Sequence, residues 1–152
     1  MYKLKTGTGL RKSMVIQNSS LSAQDLTTTQ ADLTGTEVAY TCETNASYIV
    51  YEITAQWNHL HTSTYDHIYF WVELWEKVGD TWSSMGAGYR WTEIFIYLKG
   101  QDVMHATFRL PSYTGERSYK LRVRAYSGRR PTFNEDEEGN TYDLIVKMYS
   151  VL

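Results

Sequence analysis

The sequence predicts an all-β fold in which two antiparallel sheets pack as a sandwich, and three observations carry that prediction. The long runs are built from valine, isoleucine, threonine, tyrosine and tryptophan, the residues that suit a pleated surface. Apolar side chains recur at every second position, the period of a strand with one buried face. Turn signals separate the runs, and no stretch keeps the 3.6-residue period of an amphipathic helix. With 152 residues, 42% hydrophobic and 14% aromatic, the chain is large and apolar enough for one domain with its own core.

Taken in order, residues 1–13 read as an arm, with Lys3, Lys5, Arg11 and Lys12 spaced by Thr and Gly. A short strand follows at Met14-Val15-Ile16-Gln17, so the division expected is an N-terminal arm over 1–20 and a sandwich over 21–152. Asn18 to Gly35, rich in Ser, Thr, Gln and Asp, reads as a long surface connection. Thr36 to Thr41 is the next strand, with Val38 and Tyr40 on one side.

Two long strands follow. In Tyr48 to Trp57, one face carries Ile49, Tyr51, Ile53, Ala55 and Trp57, yet the other still holds Tyr48 and Val50. In the run through Ile68, Phe70, Val72 and Leu74, the opposite face carries Tyr69, Trp71 and Trp75. A sandwich strand needs only one apolar face, so the surplus rings call for cover from a ligand or from another copy of the chain. Tyr48, Tyr69, Trp71 and Trp75 are therefore the expected oligomer interface.

Val78-Gly79-Asp80-Thr81 marks a tight hairpin turn, and Gly86-Ala87-Gly88 a bulge or bend in the return strand from Trp82. Thr92 to Leu98 resumes as strand. Val103 to Leu110 points Met104, Ala106, Phe108 and Leu110 inward before Pro111 stops it. Ser118 to Tyr126 alternates most cleanly, with Tyr119, Leu121, Val123 and Ala125 inward and Lys120, Arg122 and Arg124 outward. Ser127 to Asn140 reads as a charged loop, and Tyr142, Leu144, Val146 and Met148 as the last strand. About seven to nine strands between turns point to a sandwich of jelly-roll type.

Several function classes find no support. A net charge of −2 does not argue for nucleic acid, and no run approaches the roughly 20 apolar residues of a membrane helix. The N-terminus has no apolar signal segment, and the single cysteine, Cys42, forms no internal disulfide, which fits synthesis in a reducing cytoplasm. No G-x-S-x-G elbow or phosphate-binding glycine motif occurs, and Cys42 has no sequence cue for a histidine partner. A carboxylate pair for sugar cleavage can be drawn from Glu52, Glu73, Glu76 or Glu93, but acidic residues on strands are common and the pairing means nothing without geometry. No enzyme activity, catalytic residue or cofactor is expected.

His59, His61 and His67, with Asp66, fall within nine residues and are the candidate metal ligands, though no fixed zinc motif frames them. A solvated loop is the plainer reading, and no metal is expected. The acidic run Glu135 to Asn140 lacks the alternating oxygen spacing of an EF-hand and reads as a solvated loop beside Arg129 and Arg130. Trp57, Trp71, Trp75, Trp82 and Trp91 suit sugar stacking, but tryptophans set mid-strand fit core and subunit contact better.

The lead-in Asn18-Ser19-Ser20, the segment Thr27 to Val38, Tyr48 to Glu52, Phe108-Arg109-Leu110-Pro111 and the closing strand Tyr142 to Val151 together resemble small virion proteins of tailed phages. The likeness is to those of marine and cyanobacterial phages in particular, and it spans most of residues 14–152. It implies a jelly-roll or tumour-necrosis-factor-like sandwich, commonly trimeric, that decorates a capsid as a cement protein or forms part of a fibre. It brings no catalytic residues. On that reading the basic arm (Lys3, Lys5, Arg11, Lys12) orders on the shell, and outward Lys120, Arg122 and Arg124 meet an acidic capsid surface. The partners expected are a homotrimer of the chain and a phage capsid or tail protein, in a virion, with no nucleic acid and no membrane. The alternative is an adhesin or tail-fibre component whose exposed Trp and Tyr hold host glycans.

Overall fold

A computed structural model describes residues 10–18, 21–60, 66–95, 99–126, 131–136 and 138–152. Eleven strands are present among them: β1 (Leu10–Asn18), β2 (Gln24–Asp25), β3 (Ala31–Asp32), β4 (Val38–Thr41), β5 (Tyr48–Leu60), β6 (Asp66–Val78), β7 (Thr81–Phe95), β8 (Lys99–Pro111), β9 (Glu116–Ala125), β10 (Thr132–Phe133) and β11 (Leu144–Val151). No helix occurs among the described residues.

The strands form two antiparallel sheets. In the first, β5 lies centrally, with β8 along one side and β11 and then β10 along the other; β1 flanks β11 and β2 flanks β10. In the second, β9 pairs β6 on one side and both β3 and β4 on the other, with β7 outermost. The eight principal strands pair first with last (β1 with β11), second with seventh (β4 with β9), third with sixth (β5 with β8) and fourth with fifth (β6 with β7). That nesting is one long hairpin rolled on itself, which is the jelly roll.

The expected alternation sets the core. Ile49, Tyr51, Ile53, Ala55 and Trp57 of β5 and Ile68, Phe70, Val72 and Leu74 of β6 are all fully buried. Edge-to-face aromatic packing joins the sheets, with Trp57 and Phe70 ring centroids 5.2 Å apart and Phe70 and Phe133 5.4 Å apart. The β6–β7 turn closes on Val78 and Thr81, and positive φ (61°) at Gly79, the first central residue, matches a hairpin turn of the II′ kind. The predicted bulge is real. Between the pairs Glu73–Gly88 and Trp75–Ser84, β6 spends one residue and β7 spends three, with Gly86 at φ 67°.

Four expectations change. The arm does not extend through residue 20, because Leu10 to Asn18 is β1: β11 offers it a full ladder, and Met14 and Ile16 pack on the core. Arg11 and Lys12 thus belong to the sandwich, while Lys3 and Lys5 lie outside the described residues. The Asn18–Gly35 connection carries two short strands and buries Leu26 and Leu33. The charged segment 127–140 contributes β10, whose Phe133 is fully buried. Tyr142 stands outside the last strand, 40% exposed, since β11 begins at Leu144.

Ile53 sits fully buried at the centre of β5. Ile53→Ala is expected to cost about 2–5 kcal/mol, read as a lowered midpoint in urea with an unchanged slope.

Candidate functional site

The outer face of the β6–β9 sheet holds the tryptophans that the core does not use. Trp71, Trp75 and Trp82 are half-buried there, while Trp57 belongs to the core and the Trp91 side chain lies outside the described residues. Strand register sets Lys120 of β9 beside Trp75 and Arg122 beside Glu73. From there the cations lie over the indoles, with the Arg122 guanidinium 4.6 Å from the Trp75 ring centre and Lys120 Nζ 4.2 Å from that of Trp82. Asp32 of β3 holds both, at 2.7 Å from Lys120 Nζ and 3.2 Å from Arg122 Nε.

Glu73 forms the second node. Its carboxylate accepts from Gln30 Nε2 at 2.6 Å, Trp75 Nε1 at 2.8 Å and Ser84 Oγ at 2.6 Å. Burial pushes its pKa up, but these donors and the nearby Arg122 charge outweigh that and leave it below the ordinary value. Trp71 lies over Gly88, where a Cβ would stand 2.5 Å from the indole and 2.8 Å from the Val72 carbonyl. Only glycine lets the ring lie that close.

This arrangement bears on both expectations for the surplus rings. Much of the cover for Trp75 and Trp82 comes from the chain's own β9 cations. A sugar stacking on either indole would have to displace Arg122 or Lys120. The stripe Lys120, Arg122 and Arg124 also divides: the first two are engaged with Asp32, and Arg124 is exposed beside Tyr126, 5.4 Å from that ring centre.

Tyr48 stands elsewhere. It is on the outward face of β5, in the other sheet, so the four expected interface residues split between opposite faces of the sandwich. There the Arg109 guanidinium sits 3.9 Å over the Tyr48 ring, and Tyr149 donates to Glu52 at 3.2 Å. The same face exposes Val15 (59%), Val103 (46%) and Ile145 (37%). Val15 and Ile145 are diagonal neighbours across the β1–β11 ladder.

The remaining candidates disperse. His59 is fully buried near Trp57, and the side chains of His61, Asp66 and His67 lie outside the described residues. No group of three or more His, Cys, Asp or Glu is placed to hold a metal among the described residues. Asp136 turns into its own loop, accepting from Glu138 N and Asn140 N at 2.8 Å each and from Asn140 Nδ2 at 2.9 Å. Arg129 and Arg130 lie outside the described residues. Cys42 is buried. Glu76 is buried and accepts from Arg117 Nη1 at 3.1 and 3.2 Å and from Tyr119 Oη at 2.8 Å. This ion pair tethers one end of the sandwich, where Tyr113 also donates to the Tyr40 carbonyl at 2.7 Å. Burial pushes the Tyr113 hydroxyl up to about 12.

No protein-family model matches the sequence, and no curated protein matches it. Among solved structures the chain is similar to the Eiger TNF of S. frugiperda, at 11% identity over 86% of this chain and 92% of that one, with a TM-score of 0.33. It is also similar to the structure of infectious bursal disease virus Gx strain, at 7% identity over 94% of this chain and 37% of that one, with a TM-score of 0.38. The jelly-roll assignment rests on the strand pairing itself.

Two outcomes are expected. Arg117→Ala leaves the Glu76 carboxylate buried without its cation and should cost about 3 kcal/mol in chemical denaturation, the low end for such a pair because Arg117 keeps part of its surface in water. Because folding lowers the Glu73 carboxyl, ionised Glu73 stabilises the fold above the ordinary carboxylate range. That contribution is lost as pH falls through the depressed value. The melting temperature of the native protein should therefore fall towards that of Glu73→Gln as pH drops below the ordinary carboxylate range.

Proposed function

We propose that this chain is a non-enzymatic structural protein of a virion, most specifically a capsid decoration protein that assembles as a homotrimer and ties shell subunits together. The observation that carries the reading is the outer face of the β1–β11–β5–β8 sheet. Val15, Ile145 and Val103 are exposed on one sheet face that also bears Tyr48 and Tyr149. Aliphatic side chains grouped on a sheet face, with aromatic rings among them, are what a subunit contact uses. By contrast, Trp75 and Trp82 on the opposite face already have cations over them.

Self-association on this reading uses the Tyr48 face. The Tyr69, Trp71 and Trp75 face, with Arg124 exposed beside it, is left to meet the shell, where a basic, aromatic surface suits an acidic partner. The segment preceding Leu10, with Lys3 and Lys5, adds basic charge for the same acidic partner. The phage likeness of Tyr48 to Glu52, Phe108 to Pro111 and the closing strand supports the virion setting.

Light scattering after gel filtration tests the assembly step. The native chain is expected at three times its 17.7 kDa mass, and Val15→Asp combined with Ile145→Asp should give a folded monomer. A native monomer, or a trimer indifferent to both substitutions but lost in Trp71→Ala, would reject the Tyr48 face as the contact. Deletion of residues 1–9 should leave the trimer intact while abolishing co-sedimentation with capsids stripped of the protein.

A further inference from the structure

We propose that a cleft at one end of the sandwich binds a neutral, polyhydroxylated ligand of saccharide type. It opens between the loop joining β4 to β5 and the loop joining β8 to β9, with a volume of about 560 Å³. That size suits a small organic ligand, but its lining is mainly polar, so the ligand must be polar too.

The frame of the cleft is fixed by backbone hydrogen bonds. Cys42 N donates to the Gly115 carbonyl at 3.3 Å, linking the two loops, and Glu43 N donates to Ser150 Oγ at 3.2 Å. Ala46 N closes a turn on the Glu43 carbonyl at 3.2 Å, which holds Asn45 at a φ of 68°. Asparagine is the non-glycine residue that tolerates this region best, so the turn suits its sequence. The side chains around this frame are different: Thr41, Glu43, Thr44, Asn45, Ser112 and Thr114 are at least partly exposed, and half-buried Tyr113, with the Arg117 guanidinium 4.6 Å over its ring, closes one side.

Their chemistry selects the ligand. The hydroxyls of Thr41, Thr44, Ser112 and Thr114 and the Asn45 amide each donate and accept, and the Glu43 carboxylate accepts only. An anion would be repelled by Glu43. A metal cation would use the oxygens but leave the amide N–H groups facing it. Sugar hydroxyls both donate and accept, so they match the mixed set, and a carboxylate can take two neighbouring hydroxyls at once. The site lies apart from the indoles, so glycan affinity here would not require displacing Arg122 or Lys120.

Amide chemical shifts of the ¹⁵N-labelled full chain provide the test, with D-glucose, D-galactose, D-mannose, N-acetylglucosamine and calcium chloride titrated separately. A short oligosaccharide of any sugar that binds distinguishes a free monosaccharide from a glycan end as the source. Shifts confined to Glu43–Ala46 and Ser112–Gly115 are expected for at least one sugar. They should weaken about tenfold in Glu43→Gln, whose spectrum also reports that the fold is kept. Sugar-induced shifts on the Trp75 and Trp82 face, shifts with calcium alone, or none with any sugar would each overturn the proposal. A negative result would leave the assembly reading untouched, because that reading is tested by molar mass and shell binding.

Discussion

A strand has two faces and a single core takes only one of them, and this constraint governs the whole molecule because β5 and β6 are loaded on both. The inward sets interlock without polar interruption from Ile49 to Trp57 and from Ile68 to Leu74. The outward sets then have to be reconciled with water. On β6 the solution is internal. Asp32 draws Lys120 and Arg122 across the sheet, and their side chains lie over Trp82 and Trp75. Long cationic side chains are good at this, since the stem covers apolar surface while the charged head remains hydrated. On β5 and its neighbours Arg109 covers Tyr48, but Val15, Val103 and Ile145 stay exposed. The two faces of one sandwich thus differ in kind, one with its own cations laid over two of its indoles and one with aliphatic groups uncovered.

Much of the fold was legible in the sequence because period-2 alternation is a direct image of burial. The inward sets of β5, β6, β8 and β9 were all readable from spacing, as were the Gly79 turn and the bulge at Gly86 to Gly88. What spacing does not reveal is partnership between distant segments. Gln24–Asp25, Ala31–Asp32 and Thr132–Phe133 are too short for alternation to register, and each exists only because a neighbour offers an open ladder position: β9 for Ala31–Asp32, β5 for Thr132–Phe133, and Thr132–Phe133 in turn for Gln24–Asp25. The first strand was shortened into an arm for a related reason. Its Lys and Arg residues look like solvated tail until β11 is known to run beside them.

The candidate site was legible by halves. Tyr69, Trp71 and Trp75 share the outward face of β6, as their alternate spacing along one strand implies. Joining Tyr48 to them was an error of topology, since residues equally outward on consecutive long strands belong to opposite sheets. Asp32 could not have been found from local pattern. It sits in a polar segment with no periodicity, and its importance comes entirely from the β3–β9 pairing that brings it to Arg122. The polar cleft was likewise invisible, being formed by two loops about seventy residues apart in sequence that meet through the Cys42–Gly115 hydrogen bond.

The sheet edges bear on the proposed self-association. An open edge strand is a template for another chain, and β8, paired only on its β5 side, offers one of 13 residues. Two of its backbone groups are already taken. The Thr107 carbonyl accepts the Tyr89 hydroxyl, and Val103 N donates to Asp102 Oδ1 at 2.7 Å. In an antiparallel ladder, residues whose polar groups point away from the partner alternate along the strand. Positions 103 and 107 fall in the same set, so both caps sit on the free edge. The outer strand of the other sheet supplies one of them, so the flank is closed by the same contact that holds β7 to β8, with Tyr89 and Phe108 rings 5.1 Å apart. An incoming strand would have to break that contact before it could add to the sheet. The proposed association through the outer face of β1, β11, β5 and β8 would require no such rupture, and it would bury the aliphatic side chains that the fold leaves in water.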